Sequence, residues 1–302
     1  ESLIGVFVSH KLEEGETLCH RVSVMARGKI VGQRTLPAPR DELVRLMLGD
    51  IALGGIRPEV IPGEPVLTLG GVALGKRAPS PYPDLTVAAG EVLGLAGLEG
   101  SGQRIFLRLC AGLDKPGSGR IAIGGRTLTG EPYRRFLEAG VHFIPAGRLE
   151  EGLISGLSVA EHFELVGGNN SFMVDREAAA AAAEHRIAEF SIMGVPTTTA
   201  EALSGGNQQR LLMAMAPDDP KLLLMEHPTR GLDLGSAEWV WDRLLRSRAG
   251  GTAIVFASSD LEELLRYGGR IAVFYEGGII AVMPAAAATA SSLGLLIGGV
   301  MP

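Results

Sequence analysis

Two glycine-rich stretches carry the residue types best suited to holding a phosphate. The first is Gly97-Leu98-Glu99-Gly100-Ser101-Gly102-Gln103-Arg104. It follows the apolar run Glu91-Val92-Leu93-Gly94-Leu95-Ala96 and precedes a helical pattern over residues 105–113 that ends near Gly112. Strand, glycine turn and helix form a setting in which backbone N–H groups converge on phosphate oxygens. Gly97 and Gly102 keep the spacing of G-x-x-x-x-G-K-[ST], with Gly100 between them, but the two chemical side chains are replaced. Gln103 stands where a lysine would reach the β- and γ-phosphates. Arg104 stands where a hydroxyl would ligate magnesium. A fixed cation there repels a metal, yet it can still grip a phosphate. Spacing alone does not separate this from an ordinary strand–turn–helix junction.

The second stretch is Leu203-Ser204-Gly205-Gly206-Asn207-Gln208-Gln209-Arg210, ahead of an apolar helical run over residues 211–216. A serine hydroxyl and glycine N–H groups at a helix start offer donors to an anion; alone, they also read as an N-cap and turn. Pro220-Lys221-Leu222-Leu223-Leu224-Met225 then reads as a buried strand. It leads into Glu226-His227-Pro228-Thr229-Arg230-Gly231-Leu232-Asp233. A further β-rich run ends at Ser258-Ser259-Asp260.

The order of these motifs resembles the ABC (ATP-binding cassette) ATPase family, in particular the tandem-cassette ATPases of monosaccharide and nucleoside importers. Residues 203–208 are similar to its signature motif and 222–227 to its Walker B strand. Residues 231–233 resemble the D-loop, and 258–260 the switch region. The resemblance implies an α/β P-loop NTPase cassette with a mixed sheet core and a helical subdomain at about 148–202. In that family two cassettes stack head to tail, and each ATP is shared between one phosphate loop and the other cassette's signature. Ser204, Gly205, Gly206, Asn207, Gln208 and Asp233 would then serve the partner's site. This copy departs from the family pattern repeatedly. Besides Gln103 and Arg104, Glu226 replaces the Walker B Asp and His227 the glutamate that polarises water. Ser259 replaces the switch histidine. Ile144-Pro145-Ala146-Gly147-Arg148 stands in place of the Q-loop glutamine, and Leu74 falls near the position of the adenine-stacking aromatic. Phosphoryl transfer to water needs placed phosphates, a metal and a water-orienting group, so little or no hydrolysis is expected from this copy. Arg104 leaves weak ATP binding at Gly97–Arg104 open, with magnesium independence as its sign, and magnesium is expected only at the intact partner site; no metal site is assigned to this chain.

A repeat at a constant offset of 249 residues explains the N-terminus. Residues 6–14 (Val-Phe-Val-Ser-His-Lys-Leu-Glu-Glu) align without gaps on residues 255–263 (Val-Phe-Ala-Ser-Ser-Asp-Leu-Glu-Glu). Arg21-Val22-Ser23-Val24 meets Arg270-Ile271-Ala272-Val273, and Gly28-Lys29-Ile30 meets Gly277-Gly278-Ile279. The expected division is the tail of a first cassette over residues 1–50, a linker over 51–65 and a second cassette over 66–302. His10 aligns with Ser259 and would be the retained switch histidine of the first cassette.

Composition bounds the rest. A chain of 302 residues with 46% hydrophobic residues can bury a core, which excludes general disorder. A net charge of −6 argues against nucleic-acid partners. Cys19 and Cys110 cannot form a disulfide framework. Residues 277–302 carry no charge, but Pro284, several glycines and the absence of flanking Lys or Arg favour a buried strand, a turn and a small helix over a membrane span. The resemblance implies the ATP-binding subunit of a sugar or nucleoside importer. Such a subunit lies at the cytoplasmic face of the membrane, with a companion cassette in the same or a second chain, transmembrane permease subunits and, indirectly, a solute-binding protein. A nucleotide-independent scaffold cassette, a soluble cassette protein and a self-sufficient ATPase remain as alternatives.

Overall fold

The computed structural model describes residues 5–7, 17–26, 29–39, 43, 46, 63–73, 82–166 and 176–300. His10 and Leu74 lie outside the described residues, as do residues 8–14 of the repeat. Two compact units emerge: residues 1–58 with 232–239, and residues 59–231 with 240–302.

In the first unit, β1 (Arg21–Ala26) pairs antiparallel with β2 (Lys29–Thr35). In the second, β3 (Pro65–Ala73), β4 (Leu85–Ala88), β6 (Ser118–Ile123) and β7 (Arg126–Thr127) form an antiparallel sheet of order β4-β3-β6-β7. The strand therefore starts at Pro65, inside the stretch read as linker. Gly63 and Glu64 already exchange backbone hydrogen bonds with Ala89. Proline is tolerated at a strand's first residue because its missing N–H costs the ladder little there.

The central sheet runs β12-β11-β5-β10-β9-β8. Its members are β5 (Val92–Ala96), β8 (Val141–Ile144), β9 (Leu222–Glu226), β10 (Ala253–Ala257), β11 (Arg270–Tyr275) and β12 (Gly278–Pro284). All neighbours are parallel except β11 and β12. Strands β5, β9 and β10 are buried at every residue, which is why their sequences read as unbroken apolar runs rather than alternating ones. Helix α1 (Gln103–Ala111) packs on β8, β9 and β10. Strand β12 sits at the edge with one partner, so it is half-buried where a buried strand is expected from its composition. Among the described residues no helix is long and apolar enough to cross a membrane.

The hairpins of the two units share one register. Arg21 faces Thr35 and Arg270 faces Pro284; every later pair keeps the offset of 249, including the bulge after Val24 and after Val273. A bulge disrupts the ladder locally and fixes a bend, so its recurrence at the same place carries the repeat from sequence into backbone geometry.

Helix α2 (Tyr133–Glu138) precedes β8; the helical stretch then consists of a π-helical turn (Arg148–Gly152), α3 (Val159–Val166), α4 (Arg176–Glu189) and a 3-10 turn (Ala200–Ala202). Ser158 and Glu161 form a reciprocal cap at the start of α3. The buried His162 holds the chain before it by accepting the Ile154 N–H at 2.9 Å.

Candidate functional site

The phosphate-loop geometry is present. Strand β5 delivers Gly97 to a turn in which Gly97, Gly100 and Gly102 all have positive φ. Gly102 is the left-handed N-cap of α1, with no side-chain cap. One side chain, Gln103, folds back against the loop. The Gln103 amide is buried and donates to the Leu98 carbonyl at 3.3 Å. A Cβ at Gly97 would run into that amide and into the Phe274 carbonyl. Gln103 therefore presents no positive charge where a phosphate would sit.

Arg104 is committed to two carboxylates. Its guanidinium donates to Glu151 at 2.6 Å and to Glu226 at 3.3 Å. Glu226, the last residue of β9, is only 3% exposed. Its Oε2 also accepts the Ala146 N–H at 3.1 Å, whereas Oε1 is buried without a partner among the described residues. Burial pushes the Glu226 carboxyl above the usual range; the Ala146 N–H and the Arg104 charge oppose that push. His227 follows with φ 46, its N–H bonded to the Ala257 carbonyl at 2.8 Å. Burial, with Arg230 adding to it, depresses the imidazole below its ordinary value, so it is neutral at physiological pH.

The second glycine stretch opens α5 (Gly205–Ala214), with Ser204 as N-cap. Ser204 is exposed, and its Oγ accepts the Asn207 amide at 2.8 Å rather than capping the helix backbone. Asn207 also receives the Met193 N–H at 2.8 Å, so its side chain secures the approach to the helix start. Gln208 turns inward and donates to the Ala200 and Leu203 carbonyls. Ser204 is thus exposed, whereas Gly205 and Gly206 are half-buried, Gly205 lying beside the Arg148 guanidinium.

The π-helical turn at Arg148–Gly152 ties the two stretches together. Arg148 donates to Gln209 of α5 at 3.0 Å and to the Arg230 carbonyl, while Glu151 of the same turn holds Arg104.

Sequence reading missed Glu263. It lies in α7 (Leu261–Tyr267), is 7% exposed and accepts three side-chain hydrogen bonds. Thr229 and Trp241 donate to Oε1 at 2.6 and 2.7 Å, and Ser258 donates to Oε2 at 2.5 Å. Ser258 in turn accepts the Asp260 N–H, and Asp260 caps α7. One carboxylate thereby fixes the turn bearing the exposed Ser259 and the chain after His227. The alignment of Glu14 with Glu263 was the available signal. In the other unit, Asp233 is exposed and accepts both the N–H and the hydroxyl of Ser236, at 3.0 and 2.7 Å, at the entrance of α6 (Leu234–Ala249).

Residues 83–230 match the family described as ABC transporter. Similar curated proteins include a glucose import ATP-binding protein of Haloferax volcanii, 37% identical over 93% of this chain and 54% of its own length. A nucleoside import ATP-binding protein of Lactococcus lactis is 31% identical over 97% of this chain and 60% of its own. A guanosine import ATP-binding protein of Bacillus subtilis is 34% identical over 93% and 58% respectively. The chain thus spans little more than half the length of these relatives. Among solved structures, a dimeric ATP-binding cassette bound to ADP and Pi superposes with a TM-score of 0.61 at 22% identity, covering 72% of this chain and 98% of that one. CbiO1 of Clostridium perfringens, part of an ABC transporter complex, gives 0.61 at 20% identity over 77% and 94%. The fold is that of a P-loop ABC cassette.

Proposed function

The chain belongs to the ABC transporter ATP-binding family, and from that premise we propose that it works in a sugar or nucleoside importer as a catalytically degenerate cassette. The imported solute class follows the names of its relatives, which are glucose, ribose, guanosine and nucleoside import proteins. In this reading residues 66–302 are the second cassette of a tandem pair. Residues 1–50 are the tail of the first, a division supported by the shared hairpin register. The protein lies against the cytoplasmic face of the membrane, bound to permease subunits that receive solute from a binding protein. Ser204, Gly205 and Gly206, with Asp233, serve an ATP whose phosphate loop, magnesium and switch histidine, His10, belong to the first cassette.

The observation that carries the degeneracy is Arg104 seated on Glu226. The residues present do not fit magnesium. The metal's loop hydroxyl is replaced by a guanidinium, which has no lone pair to give. The acidic residue at the end of β9 is already paired with that guanidinium. They do fit a phosphate, through glycine N–H groups at the start of α1 and the half-exposed Arg104. Nucleotide is therefore expected to bind this loop without being hydrolysed. His227, neutral and without a metal or lysine nearby, is a poor substitute for a carboxylate base. The buried Gln103 amide favours a second reading, a scaffold cassette that binds no nucleotide at all.

The test uses the assembled importer in membrane vesicles. Gly206→Asp, which places a charge at the start of α5, should abolish ATP turnover, whereas His227→Ala should leave it nearly unchanged. The reverse pattern, or magnesium-dependent turnover by this chain alone that His227→Ala removes, defeats the proposal.

A further inference from the structure

We infer that the Arg104 guanidinium is the resident cation of this phosphate loop, so that the site takes a nucleoside di- or triphosphate free of divalent metal. The inference rests on the reading that the loop still accepts nucleotide, and it specifies the ionic form.

The two carboxylates around Arg104 differ in how firmly they hold it. Glu226 is buried, with Arg104 as its counter-charge and the Ala146 N–H as a hydrogen-bond donor. Removing the guanidinium would strand a buried carboxylate, so this contact is costly to break. Glu151 is 33% exposed and meets an Arg104 side chain that is 51% exposed. Exposed pairs of that kind contribute little and exchange readily. An incoming phosphate can therefore replace Glu151 on the outer nitrogen while Glu226 keeps the inner one. The guanidinium then lies between a fixed buried carboxylate and the phosphate, the position a divalent ion takes in an intact cassette. It offers planar, bidentate donors suited to phosphate oxygens. The orphaned Oε1 of Glu226 is the oxygen a metal would seek. Its neighbour Oε2 carries the guanidinium, so a divalent ion there would face a positive charge across one carboxyl group. Magnesium already bound to the nucleotide meets the same repulsion.

Displacement of Glu151 has a second consequence. The turn that carries Glu151 also carries Arg148, which holds Gln209 of α5 and the Arg230 carbonyl. Phosphate at Arg104 thus loosens one end of a turn whose other end is fastened to the helix that begins after Ser204.

The test is binding of a fluorescent methylanthraniloyl ATP to the full chain, in EDTA and in excess magnesium. Wild type is expected to bind as tightly, or more tightly, in EDTA. Arg104→Ser should weaken binding in EDTA by about tenfold, the loss of one charge-assisted contact, and should make binding respond to magnesium. Arg104→Lys should retain metal-free binding in part. Electron paramagnetic resonance with manganese and ATP gives an independent readout: no protein-held manganese in wild type. Tenfold tighter binding of wild type in magnesium, or protein-held manganese in wild type, overturns the inference while leaving nucleotide binding intact. Unchanged affinity of Arg104→Ser in EDTA overturns it as well. An absence of binding by wild type under both conditions defeats the nucleotide reading itself, and the inference with it.

Discussion

Replacing Glu263 by glutamine probes how the cassette holds the turn that carries Ser259. The side chain keeps its shape, but one acceptor oxygen becomes an NH2 group. If the remaining oxygen takes the Oε1 position, Thr229 and Trp241 keep their acceptor. The new NH2 then faces Ser258, which can accept it alongside the Asp260 N–H. The Ser258 hydroxyl proton is left without an acceptor in a buried place, at a cost of about 1–3 kcal/mol. The two surviving bonds lose their charge assistance and weaken. Relief from burying a charge offsets part of this, so a net loss of about 2 kcal/mol is expected at neutral pH. In a domain of this size that lowers the melting temperature by about 4–8 °C. The pH dependence supplies a second signature. Burial holds the Glu263 carboxyl above its ordinary value. Such a group contributes stability that is fully present below the unfolded pKa and lost as pH rises through the folded one. The gap between wild type and Glu263→Gln should therefore be widest in acid and narrow towards neutrality. Urea unfolding followed by tryptophan emission across pH 5–8 measures both. A variant as stable as wild type at every pH would refute the assignment of Glu263 as the anchor of this turn.

Two further expectations concern the frame around the site. His142 in β8 is held down to about 4 by burial. Its contribution is thus present above pH 6.5 and lost as pH falls towards 4, amounting to about 3 kcal/mol. The difference in unfolding free energy between wild type and His142→Gln should change by that much between pH 7 and pH 4, and parallel curves would count against it. Gly112 closes α1 in a left-handed conformation, φ 75, with its Cα facing the Phe136 ring. Gly112→Ala should cost about 2–4 kcal/mol, combining backbone strain and overpacking, measurable by calorimetry; a loss below 1 kcal/mol would show that Phe136 moves aside.

Much of the fold was legible because the central strands are buried on both faces. Leu222-Leu223-Leu224-Met225 and Val92-Leu93-Gly94-Leu95-Ala96 leave no ambiguity once glycine turns follow them. Ser158 with Glu161 is a local helix-start signal that the chain uses as written, whereas the cap that Asp260 places on α7 was not read from the sequence. The edge strand β12 was read as buried because composition reports hydrophobicity, not the number of neighbours in a sheet. The site divided along the same line. Glycine spacing marked the loop, since positive φ is a local demand. The partners of Arg104 could not be read from sequence, because Glu151 and Glu226 lie 47 and 122 residues away. Nor could the inward turn of Gln208 be told from the outward face of Ser204, four residues earlier.

That division separates what the loop's backbone requires from what its side chains could do. The glycines at 97, 100 and 102 are required by the backbone path itself. A Cβ at Gly97 meets Gln103 and the Phe274 carbonyl, and one at Gly102 comes within 3.2–3.4 Å of Gly277. Their retention therefore says that strand β5 still turns into α1, and nothing about magnesium. The side chains at 103 and 104 are free of that demand, so they report on the chemistry. Gln103 is a neutral amide folded into the loop, and Arg104 a cation matched to a buried Glu226. A decayed site would leave Glu226 without its counter-charge, a costly state for a carboxylate so deeply buried. Instead the charge is met, and the outer half of Arg104 faces only a weak, exposed partner. Glu226 alone accounts for a cation at this position, so only nucleotide binding itself can show whether the exposed half of Arg104 also meets a phosphate.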